Sequence, residues 1–206
     1  NGTLDIIIGK GPSARTIQLD IPPFTLIAAT TRIAMISAPL RSRFSGGVFK
    51  LEFYSNEEIG EIIKRSATIL DVDIHPEAVK EIATRSRFTP RTANYHLKRC
   101  RDYAQINKSP LSEEIVKKAL TMLGVDSIGL TKADRQIIET IIEKFSGGPV
   151  GLNTIAAALS EEQATVEEIY EPYLIQLGLL ERTPRGRIAT DKAYAHLGVK
   201  GAAKLL

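Results

Sequence analysis

Apolar positions recur along this chain with two periods, and the change of period falls near Ser55. From Leu4 to Ile21 the period is two: LDIIIG, a GKGPSA turn, then RTIQLDI. Ile17, Leu19 and Ile21 share one face of the second strand, and Thr16, Gln18 and Asp20 the other. This predicts a β-hairpin. Gly9-Lys10-Gly11 does not open a phosphate loop, which needs a second glycine further off, then Lys and Ser/Thr leading into a helix. Phe24 to Ala29 is an unbroken apolar run with the length of a buried parallel strand, and it ends in Thr30, Thr31 and Arg32. Phe49 to Tyr54, after Gly46-Gly47, reads as a further strand.

Beyond Ser55 the period becomes helical. Ser55-x-x-Glu58 is a capping box, followed by an apolar stripe of Ile59, Ile62, Ile63, Ile69 and Leu70. His75-Pro76 starts a second helix with Val79, Ile82 and Ala83 inward. Thr89-Pro90 starts a third, with Thr89 as its cap and Ala93, Leu97, Cys100 and Ala104 buried. A fourth runs from about Ser112 to Leu123 with Ile115, Val116, Ala119, Leu120 and Leu123 inward.

Gly124 to Gly129 reads as a linker. Thr131 then caps a helix striped by Ile137, Ile138, Ile141, Ile142 and Phe145 and broken at Gly147-Gly148-Pro149. A short helix from Leu152 to Leu159 and a turn follow, and Thr165-x-x-Glu168 is expected to cap the next helix, which stops at Gly178. Leu179–Arg182 and Arg187–Thr190 read as strands joined by Thr183-Pro184-Arg185-Gly186. Two helices, a turn, a helix and a hairpin make a winged helix. The fold class is therefore mainly α with some β. Four stretches are expected: 1–54 with the hairpin and strands, a helical bundle at 55–124, the winged helix at 125–198 and a patternless tail at 199–206.

Composition narrows the setting. With 43% apolar and 25% charged residues the chain is an ordinary globular one. No apolar run approaches membrane-spanning length, and Asn1 to Gly9 lacks the basic start of a secretory leader. Cys100 is the sole cysteine, which excludes an internal disulfide and points to a cytoplasmic home. His75, His96 and His196 lack metal-ligand spacing, so no metal site is assigned. Charge is uneven: 18 Lys/Arg against 13 Asp/Glu over residues 1–125, and 9 against 11 over 126–206. Contact with nucleic acid must come from local clusters, not from net charge.

Five blocks carry a resemblance: AATTR from Ala28, PLRSRF from Pro39, TPRTANYHLKR from Thr89, GGPVGL from Gly147 and EPYLIQLGLLERTPRGRIAT from Glu171. Together they resemble the RuvB family, the AAA+ motors that drive branch migration of Holliday junctions in bacteria. The likeness runs from about Leu4 to Gly198 and concerns the later part of the family, so the Walker A and B region is expected to be absent. On this resemblance residues 1–54 are a remnant of the large AAA+ ATPase subdomain with its protruding hairpin. Residues 55–124 are the four-helix AAA+ lid, and 125–198 the DNA-binding winged helix.

The resemblance also assigns roles. Arg43 is implied as the arginine finger, reaching in trans into a neighbouring subunit's nucleotide site, with Arg41 the less favoured of the pair. A fixed cation beside a transferring phosphate is worth about 10³–10⁵ in rate in nucleotidases. Thr30 and Thr31 stand where the family has its sensor of the γ-phosphate and attacking water, with Thr31 favoured. Arg91, next to Pro90 at the helix start, matches the second sensor, and the helix dipole there favours an anion. Phe88 and Tyr95 depart from the family pattern, where glycine and arginine are usual. Ile17 and Leu19 are implied as the contact with RuvA. Arg182, Arg185 and Arg187 on the wing are expected to hold DNA phosphates without reading sequence, because Glu167, Glu168 and Glu171 on the preceding helix would repel them. Lys98, Arg99 and Arg101 are read as solvated or at a subunit interface.

The whole protein would be a DNA-dependent ATPase and helicase using ATP and Mg²⁺, a homo-hexamer partnered by RuvA and, in the resolving complex, RuvC, without a membrane. This stretch alone is expected neither to hold nucleotide tightly nor to hydrolyse it. Two other readings stand beside this one: a non-enzymatic DNA-binding or scaffold module, and an initiator-type AAA+ protein with a winged helix.

Overall fold

In the computed structural model, which describes residues 2–11 and 14–199, helices dominate and two small antiparallel sheets lie at opposite ends of the sequence. The chain divides into two units, residues 1–51 and 52–206.

The first unit holds the predicted hairpin. Strand β1 (Thr3–Ile8) pairs antiparallel with β2 (Arg15–Asp20), Leu4 opposite Leu19 and Ile6 opposite Ile17. Directly opposed residues share a face, so these four make one apolar patch. None of it is buried: Leu4, Ile6, Ile17 and Leu19 are all exposed. The packing that an apolar face alone would suggest is not made. Pro12 and Ser13 of the turn lie outside the described residues.

Phe24–Ala29 and Phe49–Tyr54 do not form strands, which corrects the reading above. A buried parallel strand exists only with a hydrogen-bonded neighbour and layers on both faces. Among the described residues no strand lies beside either run, and Ile27 is 90% exposed. The segment between them carries a 3₁₀ turn (Ile33–Met35) and a one-turn helix α1 (Ala38–Arg41).

The second unit has two cores. The first is built by α2 (Asn56–Ile69), α3 (Pro76–Thr84), α4 (Pro90–Ile106) and α5 (Glu113–Met122). Ser55 and Glu58 form the expected reciprocal cap on α2. Ile59, Ile63, Ile82, Leu97 and Leu120 lie fully buried at its centre. Ile69 is 70% exposed, because ten residues after Ile59 a helical turn angle of 100° carries it to the edge of the stripe; Ala67 is buried instead. Thr89 occupies the cap position of α4, but its hydroxyl lies against the Ser86 carbonyl and the Thr92 hydroxyl, not a backbone N–H.

The second core belongs to α6 (Lys132–Phe145), α7 (Leu152–Leu159), α8 (Gln163–Thr165), α9 (Glu171–Gln176) and the hairpin β3 (Leu180–Thr183) to β4 (Gly186–Ala189). It is a winged helix. Ile138, Ile141, Leu174 and Leu179 fill it. The recognition-position helix departs from expectation at its start. It begins at Gln163 after Glu162, and Thr165 lies inside it without capping anything. Between α8 and α9 the helix widens into a π turn, Val166–Tyr170, where the Glu171 N–H reaches back five residues to the Val166 carbonyl. Pro172 has no N–H to continue an ordinary α ladder, which accounts for a wide turn beside it.

The wing strands sit one residue later and earlier, respectively, than the sequence boundaries. Gly186 closes the wing with φ +139, and a Cβ there would stand 2.4 Å from the Val150 carbonyl oxygen. An unpredicted helix α10 (Asp191–Leu197) follows, capped by Thr190, with Ala193 and Tyr194 buried. Of the 199–206 tail, all but Val199 lies outside the described residues.

Candidate functional site

The residues assigned from sequence fall into three groups. In the first unit, the Thr30 hydroxyl accepts the Arg32 backbone N–H at 3.0 Å, a local backbone-satisfying role open to any threonine in a turn. Thr31 is exposed beside it. Arg41 ends α1 and Arg43 lies just beyond it, both exposed. Ile17 and Leu19 form the patch already described.

In the second unit, Arg91 is exposed as the second residue of the 17-residue α4, behind Pro90. The turn leading to it is unusual. Arg87 and Phe88 both adopt left-handed backbone, φ 54 and 55, a conformation in which glycine costs least. On α4 itself, Arg99 and Arg101 both pair with Asp102, at 3.1 and 2.7 Å. Lys98 alone of that cluster is exposed without an ion pair among the described residues.

The wing arginines do three different things. Arg187 is only 9% exposed, and its guanidinium forks onto the buried Glu171 carboxylate, with Nε 3.2 Å from both oxygens and Nη2 2.9 Å from Oε2. It is committed to the interior and cannot also track a phosphate row, which corrects its assignment. Arg182 is exposed and hydrogen-bonds Glu167 at 2.7 Å. Arg185 projects from the tip, exposed and with no ion pair among the described residues. The helix acids are changed by the same contacts. Glu171 is buried against Arg187, and Glu167 is shared with Arg182, so both carboxylates have a cationic partner that the bare sequence does not show.

Comparison with known proteins gives matches along nearly the whole chain. Residues 1–50 match the model of the Holliday junction DNA helicase RuvB P-loop domain, 54–126 that of the RuvB AAA lid domain, and 127–198 that of the RuvB C-terminal winged helix domain. The Holliday junction branch migration complex subunit RuvB of Koribacter versatilis (strain Ellin345) is 59% identical over 198 residues, 96% of this chain and 55% of that protein. The chain belongs to the RuvB family. It spans about half the length of that relative. The solved Holliday junction branch migration motor RuvB of Thermotoga maritima superposes with TM-score 0.79 at 51% identity, over 87% of this chain and 60% of that one. A single-residue mutant of the same protein gives TM-score 0.80 over 88% of this chain and 60% of that one.

A P-loop family implies ATP and Mg²⁺. Arg91 fits a phosphate: it is exposed at the N-terminus of a long helix, where backbone N–H groups and the dipole favour an anion. Among the described residues no group of three or more His, Cys, Asp or Glu could hold a metal ion; Mg²⁺ beside a nucleotide takes most of its oxygens from phosphate and water. Cys100 offers no chemistry either, since burial pushes its thiol up to about 12.

Sequence reasoning missed the residues that join the lid to the winged helix. Asp134 is fully buried; one carboxylate oxygen accepts from the Thr131 N–H at 2.8 Å and hydroxyl at 2.6 Å, and the other faces Arg87 Nη2 at 3.2 Å. The Arg87 guanidinium also lies 4.3 Å from the centre of the Tyr173 ring. The Thr131-x-x-Asp134 spacing was a visible cap signal, but no local pattern announces a partner 47 residues away.

Proposed function

We propose that this chain is the later part of a RuvB-type motor, an ATP-driven DNA helicase that moves Holliday junctions in recombination and repair. It works in the cytoplasm as a homo-hexamer, with RuvA on the hairpin patch of Ile17 and Leu19 and RuvC in the resolving complex. The observation that carries this reading is the consecutive match of three RuvB domain models over nearly all of the chain.

When bound, ATP supplies the phosphoanhydride whose hydrolysis drives movement. Arg91 holds the γ-phosphate in cis from the lid, with Pro90 setting the helix start. Arg43 presents a fixed cation to the neighbouring subunit's phosphate, worth about 10³–10⁵ in rate. Thr30 and Thr31 offer hydroxyls to phosphate or water without adding charge. Arg185, and Arg182 when released from Glu167, neutralise DNA phosphates at the wing without reading bases. These residues alone are expected not to hydrolyse ATP.

Subunit mixing tests the reading in the full-length protein. Arg43→Ala should abolish junction-stimulated hydrolysis in a pure assembly. Mixing it with subunits disabled in nucleotide gripping should restore part of the rate, because each defective subunit then borders a competent half-site. Full activity of the pure Arg43→Ala assembly would remove the finger, and failure of the wild type to move a four-way junction would remove the motor.

A further inference from the structure

Lid and winged helix could have been tethered only by the 124–129 segment. They are instead clasped by side chains. Arg87 lies over the Tyr173 ring and faces the buried Asp134, the partner of Thr131 in the capping box of α6. Phe88 meets the same ring edge-on at 6.3 Å between centroids. Tyr173 is anchored from behind: its hydroxyl donates to the Ile128 carbonyl at 2.6 Å, and burial pushes its pKa up to about 12, so it remains a donor. The backbone closes in as well. A Cβ on Gly129 would stand 2.8 Å from the Arg85 carbonyl and 2.9 Å from the Tyr173 hydroxyl.

Position gives this clasp its meaning. Arg87 and Phe88 form the left-handed turn that immediately precedes α4, and Arg91 is three residues beyond Phe88. Tyr173 lies on α9 two residues from Glu171, which holds Arg187 of the wing strand β4. A contiguous run of packed and charged contacts therefore links the helix start carrying Arg91 to the wing carrying Arg185. Left-handed backbone at two successive non-glycine residues is retained only where surrounding contacts enforce it; here the contacts across the clasp act together with backbone bonds within the lid, the Tyr54 N–H to the Phe88 carbonyl at 3.3 Å and the Thr89 N–H to the Ser86 carbonyl at 3.1 Å.

We propose that the Arg87-Phe88 turn is a positioning element that makes the sensor helix and the wing move as one body, so that a change in the grip of Arg91 on phosphate displaces the wing. The role rests on the motor activity proposed above. The role asks neither residue to touch phosphate or DNA; both act through Arg91 on one side and Tyr173 on the other.

Two measurements test it. In the first, spin labels on cysteines placed at the exposed Gln105 of α4 and Glu162 before α8 report the distance between lid and winged helix in this chain. Cys100 is buried and stays unlabelled. The wild type should give one narrow distribution, Arg87→Gln one at least twice as broad, and Arg87→Lys, which restores the cation, a narrow one again. Should Arg87→Gln lower the folded fraction, Phe88→Gly takes its place: glycine suits the left-handed backbone but deletes the ring contact, and the distribution must still broaden. In the second, the full-length protein is assayed for junction movement per ATP hydrolysed. Arg87→Gln should lower that ratio about tenfold, with Arg87→Lys restoring it; a defect of folding alone would lower both quantities together and leave the ratio. Narrow distributions for both variants, or an unchanged ratio, overturn the positioning role. Broadened distributions with a wild type that moves no junction would uphold the clasp and sink the motor reading instead.

Discussion

Arg187 and Glu171 lock the wing to the helix behind it: the guanidinium forks onto the carboxylate with a shortest contact of 2.9 Å, and both side chains are buried. Breaking such a pair leaves one buried charge without its partner, at a cost of roughly 3–5 kcal/mol, whereas replacing both members by apolar groups of similar size is often neutral. Glu171→Ala and Arg187→Ala are each expected to destabilise the second unit by an amount in that range in urea unfolding. Glu171→Met combined with Arg187→Met should recover most of the loss. Single variants as stable as wild type would mean that the pair is open in solution.

The same pairing decides which arginine to change in a DNA experiment. Arg185 is exposed at the wing tip, while Arg187 is spent on Glu171. Each phosphate neutralised contributes about 0.9 to the slope of log affinity against log salt on duplex DNA. Arg185→Ala should therefore weaken binding to duplex and four-way junction alike and lower the slope by about one in fluorescence anisotropy. The full-length protein is the right sample. Arg182→Ala should do less, because Arg182 must first leave Glu167. An unchanged slope in Arg185→Ala would move attention to the exposed Lys98 on α4.

Local patterns made most of this fold legible. Ser55 and Glu58, Thr131 and Asp134, and the glycines at 147, 178 and 186 mark element ends by rules that act within a few residues, and the structure follows them. Failures came where distant partners decide. Phe24–Ala29 has the composition of a strand but no neighbour to pair with among the described residues, and a strand is a property of a sheet, not of a segment. Arg187 looked like its neighbours Arg182 and Arg185 because alternation along β4 could not say that its inward side would meet a carboxylate 16 residues back. The π turn at Val166–Tyr170 could have been suspected from Pro172, which interrupts the helix ladder four residues after Glu168. Arg87 was hidden for a different reason, since Phe88 disguised a turn that glycine would have announced.

The hairpin patch separates binding from stability. Ile17 and Leu19 are each 46% exposed and stand opposite Ile6 and Leu4 of the facing strand. Substitutions at exposed positions usually change stability by no more than about 0.5 kcal/mol. Ile17→Asp with Leu19→Asp should leave the thermal midpoint of the second unit unmoved, yet abolish capture of RuvA in a pull-down or calorimetric titration. Retained RuvA binding would count against the assigned contact. A large fall in the midpoint would mean that this face is buried against the protein's own chain.

Acid should weaken the lid through His96. The ring is 4% exposed in the first core, and its Nδ1 has no hydrogen-bond partner. Burial, with the charges of Arg85 and Arg87 added, pushes its pKa down to about 4 from the ordinary 6.5. Between those values the unfolded chain binds the proton and the folded one does not, so the unfolded state gains on acidification. Stability from this group is complete above pH 6.5 and is lost as pH falls through the folded value, reaching about 3 kcal/mol if the whole shift is realised. Urea unfolding at pH 7.5 and 4.5 checks it, with His96→Leu as the comparison. The wild type should lose roughly 2–3 kcal/mol more than the variant across that interval. Parallel losses in the two proteins would show that His96 takes up its proton without unfolding the lid, and that the orphan Nδ1 finds a partner when charged.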